Sequence, residues 1–206
     1  MLANMKISGL RVAAILVAAS VAGVPWSANA ETYGFDKNHT EVRFHYNHLG
    51  MSIQSGQFGA VDGTVVFDRK KLENSKVEVV IKTDSVDTGV PALDTHLKSK
   101  DFFEVDKYPE ITFKSTSVKQ TSKDAGRMTG DLTIHGVTKP VTLNVKFNFA
   151  GAHPLAKFIK KYDGADYASF SAQAEILRSE FGVGLYAPGT ADRIQIVIET
   201  ELRQKN

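Results

Sequence analysis

The chain has no cysteine among its 206 residues and only one tryptophan, Trp26. Without cysteine there is no disulfide framework, so an exported form of this chain must rely on its apolar core alone. No G-x-S-x-G nucleophile elbow and no obvious phosphate-binding loop occur. After residue 30, no apolar run approaches the roughly 20 residues that span a bilayer. With these motifs absent, the apolar pattern of the chain is the most informative feature of the sequence.

The first thirty residues have the features of a secretory signal peptide. Lys6 and Arg11 form a short basic region, residues 12–24 are apolar, and Ala28 and Ala30 supply a small-x-small cleavage signal. We expect cleavage after Ala30, and an uncleaved anchor is the alternative. Residues 31–206 are then enough for one domain with a single core.

The charge of the remaining chain is balanced. Removing Lys6 and Arg11 leaves 23 basic residues against 23 acidic ones. We see no stripe of arginine and aromatic residues that would follow a phosphate backbone. Nucleic acid is therefore not an expected partner.

Alternating apolar residues predict about eight strands. They fall at 41–46, 56–68, 76–82, 111–114, 130–134, 141–149, 168–176 and 194–202. Gly59 and Gly63 predict a bend or bulge in the second strand. Eight one-sided strands favour a closed barrel, whose interior holds side chains or one small ligand. A two-sheet sandwich has the same periodicity and stays open as an alternative.

The hairpin at residues 130–149 shows the pattern most clearly. Leu132 and Ile134 share one face of its first strand. The second strand continues that face with Val141, Leu143, Val145, Phe147 and Phe149. An apolar β surface of this kind serves as core or as the wall of a ligand pocket.

Two segments interrupt the strand pattern. Residues 91–103 are predicted to be a helix, with Pro91 in its first turn and the pair Phe102-Phe103 as a plug at its end. Residues 154–162 predict a short amphipathic helix with a lysine-rich face. That second helix could be a lid or a membrane contact, or could pack on the barrel wall with its basic face in solvent.

Candidate reactive groups do not converge. Among His39, His45 and His48, the last two are an odd number of positions apart and should point to opposite faces of a strand. Zinc needs three or four convergent ligands, so we expect no metal. His135, next to Gly136, is interpreted as a turn residue. We therefore expect no catalytic residue and no cofactor.

Three stretches in order resemble the YceI-like family of periplasmic polyisoprenoid-binding proteins. They are DKNHTEVRFHYNHLGMSIQSGQF at 36–58, DTHLKSKDFFEVDKYPEITFKSTSV at 94–118 and GDLTIHGVTKPVTL at 130–143. The resemblance implies a periplasmic, all-β protein, a lipocalin-like eight-stranded antiparallel barrel with one or two short helices. It also implies that the interior binds an isoprenoid quinone or a polyprenyl phosphate, without established enzymatic activity. Residues 150–166 match no family motif.

Fourteen apolar positions are predicted to face inward and line a lipid tunnel: Phe58, Phe67, Val79, Ile81, Phe113, Leu132, Ile134, Leu143, Val145, Phe147, Phe170, Ala172, Ile176 and Ile196. His48, Lys100 and Arg178 are the candidates for binding a lipid head group. Ordinary core packing is the alternative for each lining residue, and a structural hydrogen bond or surface ion pair for each head-group residue. Two other functions stay open: an enzyme acting on an isoprenoid lipid, and a stress-linked structural or interaction protein with a filled core. A homodimer and a transient contact with a membrane surface also stay open.

Overall fold

The computed structural model describes residues 30–205, so the predicted signal peptide lies outside the described residues except for Ala30. Within this range the chain forms ten strands and one α-helix. The strands are β1 Ala30–His48, β2 Ser52–Phe58, β3 Val61–Asp68, β4 Lys76–Lys82, β5 Val86–Asp87, β6 Glu110–Gln120, β7 Ala125–Ile134, β8 Val137–Ala152, β9 Asp166–Leu177 and β10 Arg193–Gln204. The helix, α1, spans Pro91–Lys98.

Eight of these strands close into an antiparallel barrel. The order around the wall is β1, β10, β9, β8, β7, β6, β4 and β3, and β3 pairs with β1 again. The two short strands β2 and β5 extend the wall beyond β3 and β4 toward one end of the barrel, since β2 pairs with β1 and β5 pairs with β2. The barrel class is therefore confirmed, and the sandwich alternative is excluded because the sheet has no free edge along β1 and β10.

The predicted bend at residues 56–68 is a break between two strands. β2 pairs with the second half of β1, from Val42 to His48, and β3 pairs with its first residues, from Ala30 to Tyr33. Gly59 and Ala60 lie between them. Gly63, at φ +151°, has no space for a side chain, because a Cβ would collide with the Glu78 carbonyl oxygen on β4. The bend lets one row of the wall follow the curvature of the barrel.

A bulge in β8 changes one prediction for the 130–149 hairpin. The register against β9 shifts between Phe147 and Phe149, so Phe147 lies opposite Phe170 and Phe149 lies opposite Ser169. One extra residue inverts the alternation of side chains. Ala150 then packs into the interior in the place that strict alternation gives to Phe149.

The loops divide between the two ends of the barrel. Residues 49–51, 88–109, 135–136 and 178–192 lie at one end, here called the capped end. Residues 69–75, 121–124 and 153–165 lie at the other, here called the open end. Each end has its own core cluster, with Phe58, Leu132 and Phe181 toward the capped end and Tyr33, Phe67 and Leu202 toward the open end.

The helix predicted at 91–103 is shorter than expected. Pro91 occupies its first turn as predicted, but α1 ends at Lys98. The Ser99 hydroxyl donates to the His96 carbonyl at 2.7 Å and the Ser99 backbone is extended, which ends the helix. The chain then turns back and the Phe103 amide donates to the Leu97 carbonyl. Phe103 packs on the core and plugs the capped end, as the sequence predicts.

The prediction of an amphipathic helix at 154–162 is wrong. The segment consists of single turns and one 3-10 turn, Lys160–Tyr162. Leu155, Phe158 and Ile159 are exposed instead of packing on the wall, Phe158 by 82 %. A helix this short is marginal without a packed face, so an apolar spacing alone does not produce it.

Candidate ligand cavity

The barrel interior holds one elongated apolar cavity. Its volume is about 710 Å³, within the range of roughly 300–1,000 Å³ found for small-molecule sites. Inward-facing side chains from all eight rows of the wall line it, and the lining residues extend from His96 at the capped end to Lys123 at the open end. The interior is therefore not a filled core, which removes the basis of the structural alternative with a filled barrel.

All fourteen residues predicted to face inward lie on the wall of this cavity. Strand alternation explains why: on β9, for example, Phe170, Ala172 and Ile176 face inward while Gln173 and Glu175 face solvent. That these residues contact a ligand stays a prediction.

Small residues keep the cavity open. Ala172 and Ala174 line it on β9, whereas Ala168 is fully buried in the open-end core and lines nothing. At Gly130 on β7, a Cβ would collide with the ring of Phe113. Gly130 therefore lets that ring lie along the wall instead of being pushed into the cavity.

Phenylalanines close the capped end. Phe181 is 1 % exposed and packs with Val183 in the capped-end cluster. The ring of Phe103 lies 5.7 Å from that of Phe58, in an edge-on contact. Residues 88–109 and 178–192 thus supply an apolar plug over this end of the barrel.

Arg178 organises the backbone at the capped end. Its Nε donates to the Ala191 carbonyl, and Nη1 donates to the carbonyls of Val183 and Leu185. Nη2 donates to the carbonyl and the hydroxyl of Thr190. A guanidinium has five N–H groups, and here the protein binds all five. Burial lowers the Arg178 pKa, but an arginine at this depth still carries its charge.

The three head-group candidates therefore lie in different environments. Arg178 lines the cavity but has no N–H left for a ligand, so it is a structural residue, the alternative to a head-group role. Lys100 is exposed and does not line the cavity. His48 does line it, at the capped end, and its contact with a head group stays a prediction.

The open end carries lining cations that the sequence pattern does not predict. Lys70 and Lys123, both exposed and both in turns between strands, border the cavity there. Phe147 is 36 % exposed, and its ring centroid lies 6.0 Å from that of Phe67 and 5.7 Å from that of Phe170. Both lysines lie within three residues of a strand with an inward face, and this closeness in the sequence could have indicated that they border the cavity.

The histidines do not assemble as a cluster. His48 faces the cavity and His45 does not, as their odd spacing predicts. His39 instead lies in a bulge of β1, with its Nδ1 3.0 Å from Asp36 and 3.8 Å from Glu201. Burial raises the Asp36 pKa, but hydrogen bonds from His39 and the Asn38 amide outweigh it and lower the pKa overall. The same hydrogen bond to Asp36 raises the His39 pKa.

His135 is a turn residue, as interpreted from the sequence. It adopts φ 51° between β7 and β8, next to Gly136. Its ring lies 4.3 Å from that of Tyr108, and its Nε2 lies 3.4 Å from a Glu104 carboxylate oxygen. These contacts attach the hairpin turn to residues 104–108 at the capped end.

No helix among residues 30–205 is long and apolar enough to cross a membrane.

Fold and cavity together define a hollow, lipocalin-like antiparallel β-barrel. The family model of the YceI-like domain matches residues 33–202, so the chain belongs to the YceI-like family, as the three sequence stretches predict. Protein YceI of Escherichia coli O17:K52:H18 is 40 % identical over 177 residues, which cover 85 % of this chain and 88 % of that one.

Solved structures show the same fold. The YceI protein of Campylobacter jejuni is 31 % identical, with a TM-score of 0.68 over 78 % of this chain and 90 % of its own. BcnA of Burkholderia cenocepacia has a TM-score of 0.71 at 24 % identity, over 81 % of this chain and 98 % of its own. A polyisoprenoid binding domain from Saccharophagus degradans has a TM-score of 0.57 at 13 % identity, over 84 % of this chain and 98 % of its own. The last two likenesses concern the fold alone.

Proposed function

We propose that this protein is a periplasmic carrier that binds one long-chain isoprenoid lipid, an isoprenoid quinone or a polyprenyl phosphate, inside the barrel, without catalysis and without a cofactor. The observation that carries the proposal is the apolar cavity of about 710 Å³ along the barrel. Membership of the YceI-like family supports it. So does the fold shared with a domain named for binding polyisoprenoids.

The chemistry of the wall suits a hydrocarbon tail. Moving apolar surface out of water stabilises a complex by about 25 cal/mol per Å², before the cost of association is subtracted. Val79, Phe113 and Ile196 offer such surface and no reactive group. Binding of the tail therefore needs no group beyond those on the wall.

The head group is proposed to lie at the open end. An ammonium donates charge-assisted hydrogen bonds to phosphate oxygens and donates to a quinone carbonyl as well. Lys70 and Lys123 border the cavity at that end. At the capped end, by contrast, the protein itself binds the five N–H groups of Arg178.

A carrier of this kind exchanges its ligand with a membrane. Polyprenyl lipids are held in bilayers by their tails, so the protein is proposed to make transient contact with a membrane surface. The N-terminal export signal expected at residues 1–30 would place it in the periplasm.

The test combines extraction with a cavity-filling variant. Protein purified from its native host is expected to release an isoprenoid on organic extraction, identified by mass spectrometry. Lipid-free protein is then titrated with undecaprenyl phosphate and with a ubiquinone. In Ala172→Phe a ring enters the cavity, and we expect binding about tenfold weaker or worse. Gln173→Phe is the matched control, because it places the same ring on the solvent side of β9.

The opposite results would remove the proposal. Absence of lipid in the extract together with no binding of either added lipid contradicts it, as does equal binding by the two variants. Product formed from the lipid by purified protein, and lost in His48→Ala, would favour an enzyme instead.

A further inference from the structure

Residues 153–165, here called the basic loop, present apolar side chains to solvent at the open end. Phe158 is 82 % exposed, Leu155 45 % and Ile159 42 %. All three lie within five consecutive positions, so they form one local patch. A lone exposed apolar residue needs no explanation, but three together on one turn mark an interaction surface.

The loop is ordered by its own contacts. The amides of Phe158 and Ile159 both donate to the Leu155 carbonyl at 2.9 Å, which folds the patch into a single turn. The rings of His153 and Tyr162 stack at 3.8 Å with an interplanar angle of 9°. Both also contact Tyr167, a buried residue of β9. The loop is thus anchored at its base, while the side chains of Leu155, Phe158 and Ile159 are exposed to solvent.

Cations surround the apolar tip. The loop contains Lys157, Lys160 and Lys161 against one acidic residue, Asp163, a formal net charge of +2. Lys161 lies in the field of Asp36 on β1, which offsets part of its charge. Lys157 and Lys160 are exposed, and neither takes part in an ion pair among the described residues.

We infer that the basic loop docks the protein on the surface of a bilayer that contains anionic phospholipids. Phe158, Leu155 and Ile159 insert among the lipid head groups, and Lys157 and Lys160 pair with lipid phosphates. Because the loop lies at the open end, docking turns the lysine-bordered end of the cavity toward the membrane. The purpose of docking rests on the proposed lipid-carrier function, but binding to a bilayer can be measured without any lipid cargo.

A second exposed apolar patch exists at the capped end. Met51 is 72 % exposed, Ile53 66 % and Tyr186 61 %. The segments that carry them, residues 49–56 and 183–191, contain no lysine or arginine. These two segments supply no cation of their own to pair with anionic lipids, so the patch serves as the internal control.

The experiment is flotation of lipid-free mature protein with vesicles. Vesicles of phosphatidylethanolamine and phosphatidylglycerol are compared with vesicles of phosphatidylcholine alone. We expect binding to the anionic vesicles that weakens with added salt and is weak on phosphatidylcholine. Phe158→Ser and the double variant Lys157→Gln with Lys160→Gln are each expected to bind about tenfold more weakly. Met51→Ser should bind like the parent protein.

Three results would overturn the inference. One is equal binding to both vesicle types, and another is loss of binding in Met51→Ser but not in Phe158→Ser. The third is a dimer seen by light scattering that Phe158→Ser dissociates, which would assign the patch to a second copy of the chain. Titration of the same variants with undecaprenyl phosphate separates the two proposals. If the protein takes up lipid but does not bind vesicles, only the docking inference is contradicted. If it binds vesicles but takes up no lipid, only the proposed carrier function is contradicted.

Discussion

The two ends of the barrel differ in where their cations lie. At the capped end, Arg178 binds four backbone carbonyls and one hydroxyl, and the apolar plug of Phe103 and Phe181 closes over the core. At the open end, Lys70 and Lys123 border the cavity from exposed turns. The protein itself binds all five N–H groups of Arg178, whereas Lys70 and Lys123 are exposed at the border of the cavity. The lysines are therefore better placed than Arg178 to bind a head group.

The same contrast suggests a direction for the ligand. A head group that carries charge stays near water, because burying it without partners costs several kcal/mol. A tail that starts at the open end runs toward the Phe58 and Ile134 side chains of the capped-end cluster. Three sets of substitutions and one labelling experiment test this comparison.

The largest difference should come from one phenylalanine at each end. Phe181→Ala removes a ring that is 1 % exposed and should lower the free energy of unfolding by about 4 kcal/mol. Phe147→Ala removes a ring that is already 36 % exposed beside the cavity and should cost about 1 kcal/mol. Urea denaturation of both variants measures the difference. Equal losses would mean that the two ends are packed alike.

Arg178 should matter for stability rather than for binding. Arg178→Met leaves the carbonyls of Val183, Ala191 and Thr190 without this donor and should lower the free energy of unfolding by about 3 kcal/mol. The control is Arg193→Met, which removes an exposed pair with Glu175 and should cost less than about 0.5 kcal/mol. If Arg178→Met unfolds like the parent but loses lipid binding, Arg178 is a head-group residue after all.

The smallest effect concerns acid stability of the capped end. The Asp192 carboxylate accepts hydrogen bonds from the Ser179 hydroxyl at 2.6 Å and the Ser179 amide at 2.8 Å, which together lower the Asp192 pKa below its usual 3.8. A lowered pKa in the folded state stabilises the fold above about pH 4, and this stabilisation is lost as the pH falls through the folded value. Asp192→Asn should cost about 1 kcal/mol at neutral pH.

The difference in the free energy of unfolding between the parent and Asp192→Asn should narrow as the pH falls below about 4. Urea denaturation across the pH range measures this difference. Ser179→Ala, which removes the hydroxyl donor, should reduce the same pH dependence. A gap that stays constant from neutral to acidic pH contradicts this role of Asp192.

Strand periodicity predicted the wall of the barrel well. A strand with one buried face has a period of two, so residues such as Val79 and Ile196 could be assigned to the inward face without a structure. Two of the errors come from single-residue events. The bulge before Phe149 is a one-residue register shift, and the early end of α1 depends on the hydrogen bond from Ser99 to His96. An alternation pattern contains neither.

The functional residues were harder to predict than the wall. Which donors are occupied depends on the tertiary fold, and the five bonds of Arg178 come from a loop that closes only when β9 and β10 are paired. Lys70 and Lys123 become neighbours of the cavity only because their turns lie at the same end of a closed barrel. Residues 154–162 have a helical spacing, but tertiary contacts of His153 and Tyr162 with Tyr167 give them another shape.

The most direct test of the account is photo-crosslinking with a polyprenyl phosphate that carries a diazirine at the far end of its tail. After irradiation of the complex and proteolysis, mass spectrometry locates the labelled peptides. A tail bound in the proposed direction should label inward-facing residues near the capped end, in the peptides that contain Phe58 or Ile134, and these labels should be lost in Ala172→Phe. Labels confined to solvent-facing positions, or to the turn at Lys123, would contradict a tail that lies inside the barrel and points toward the capped end.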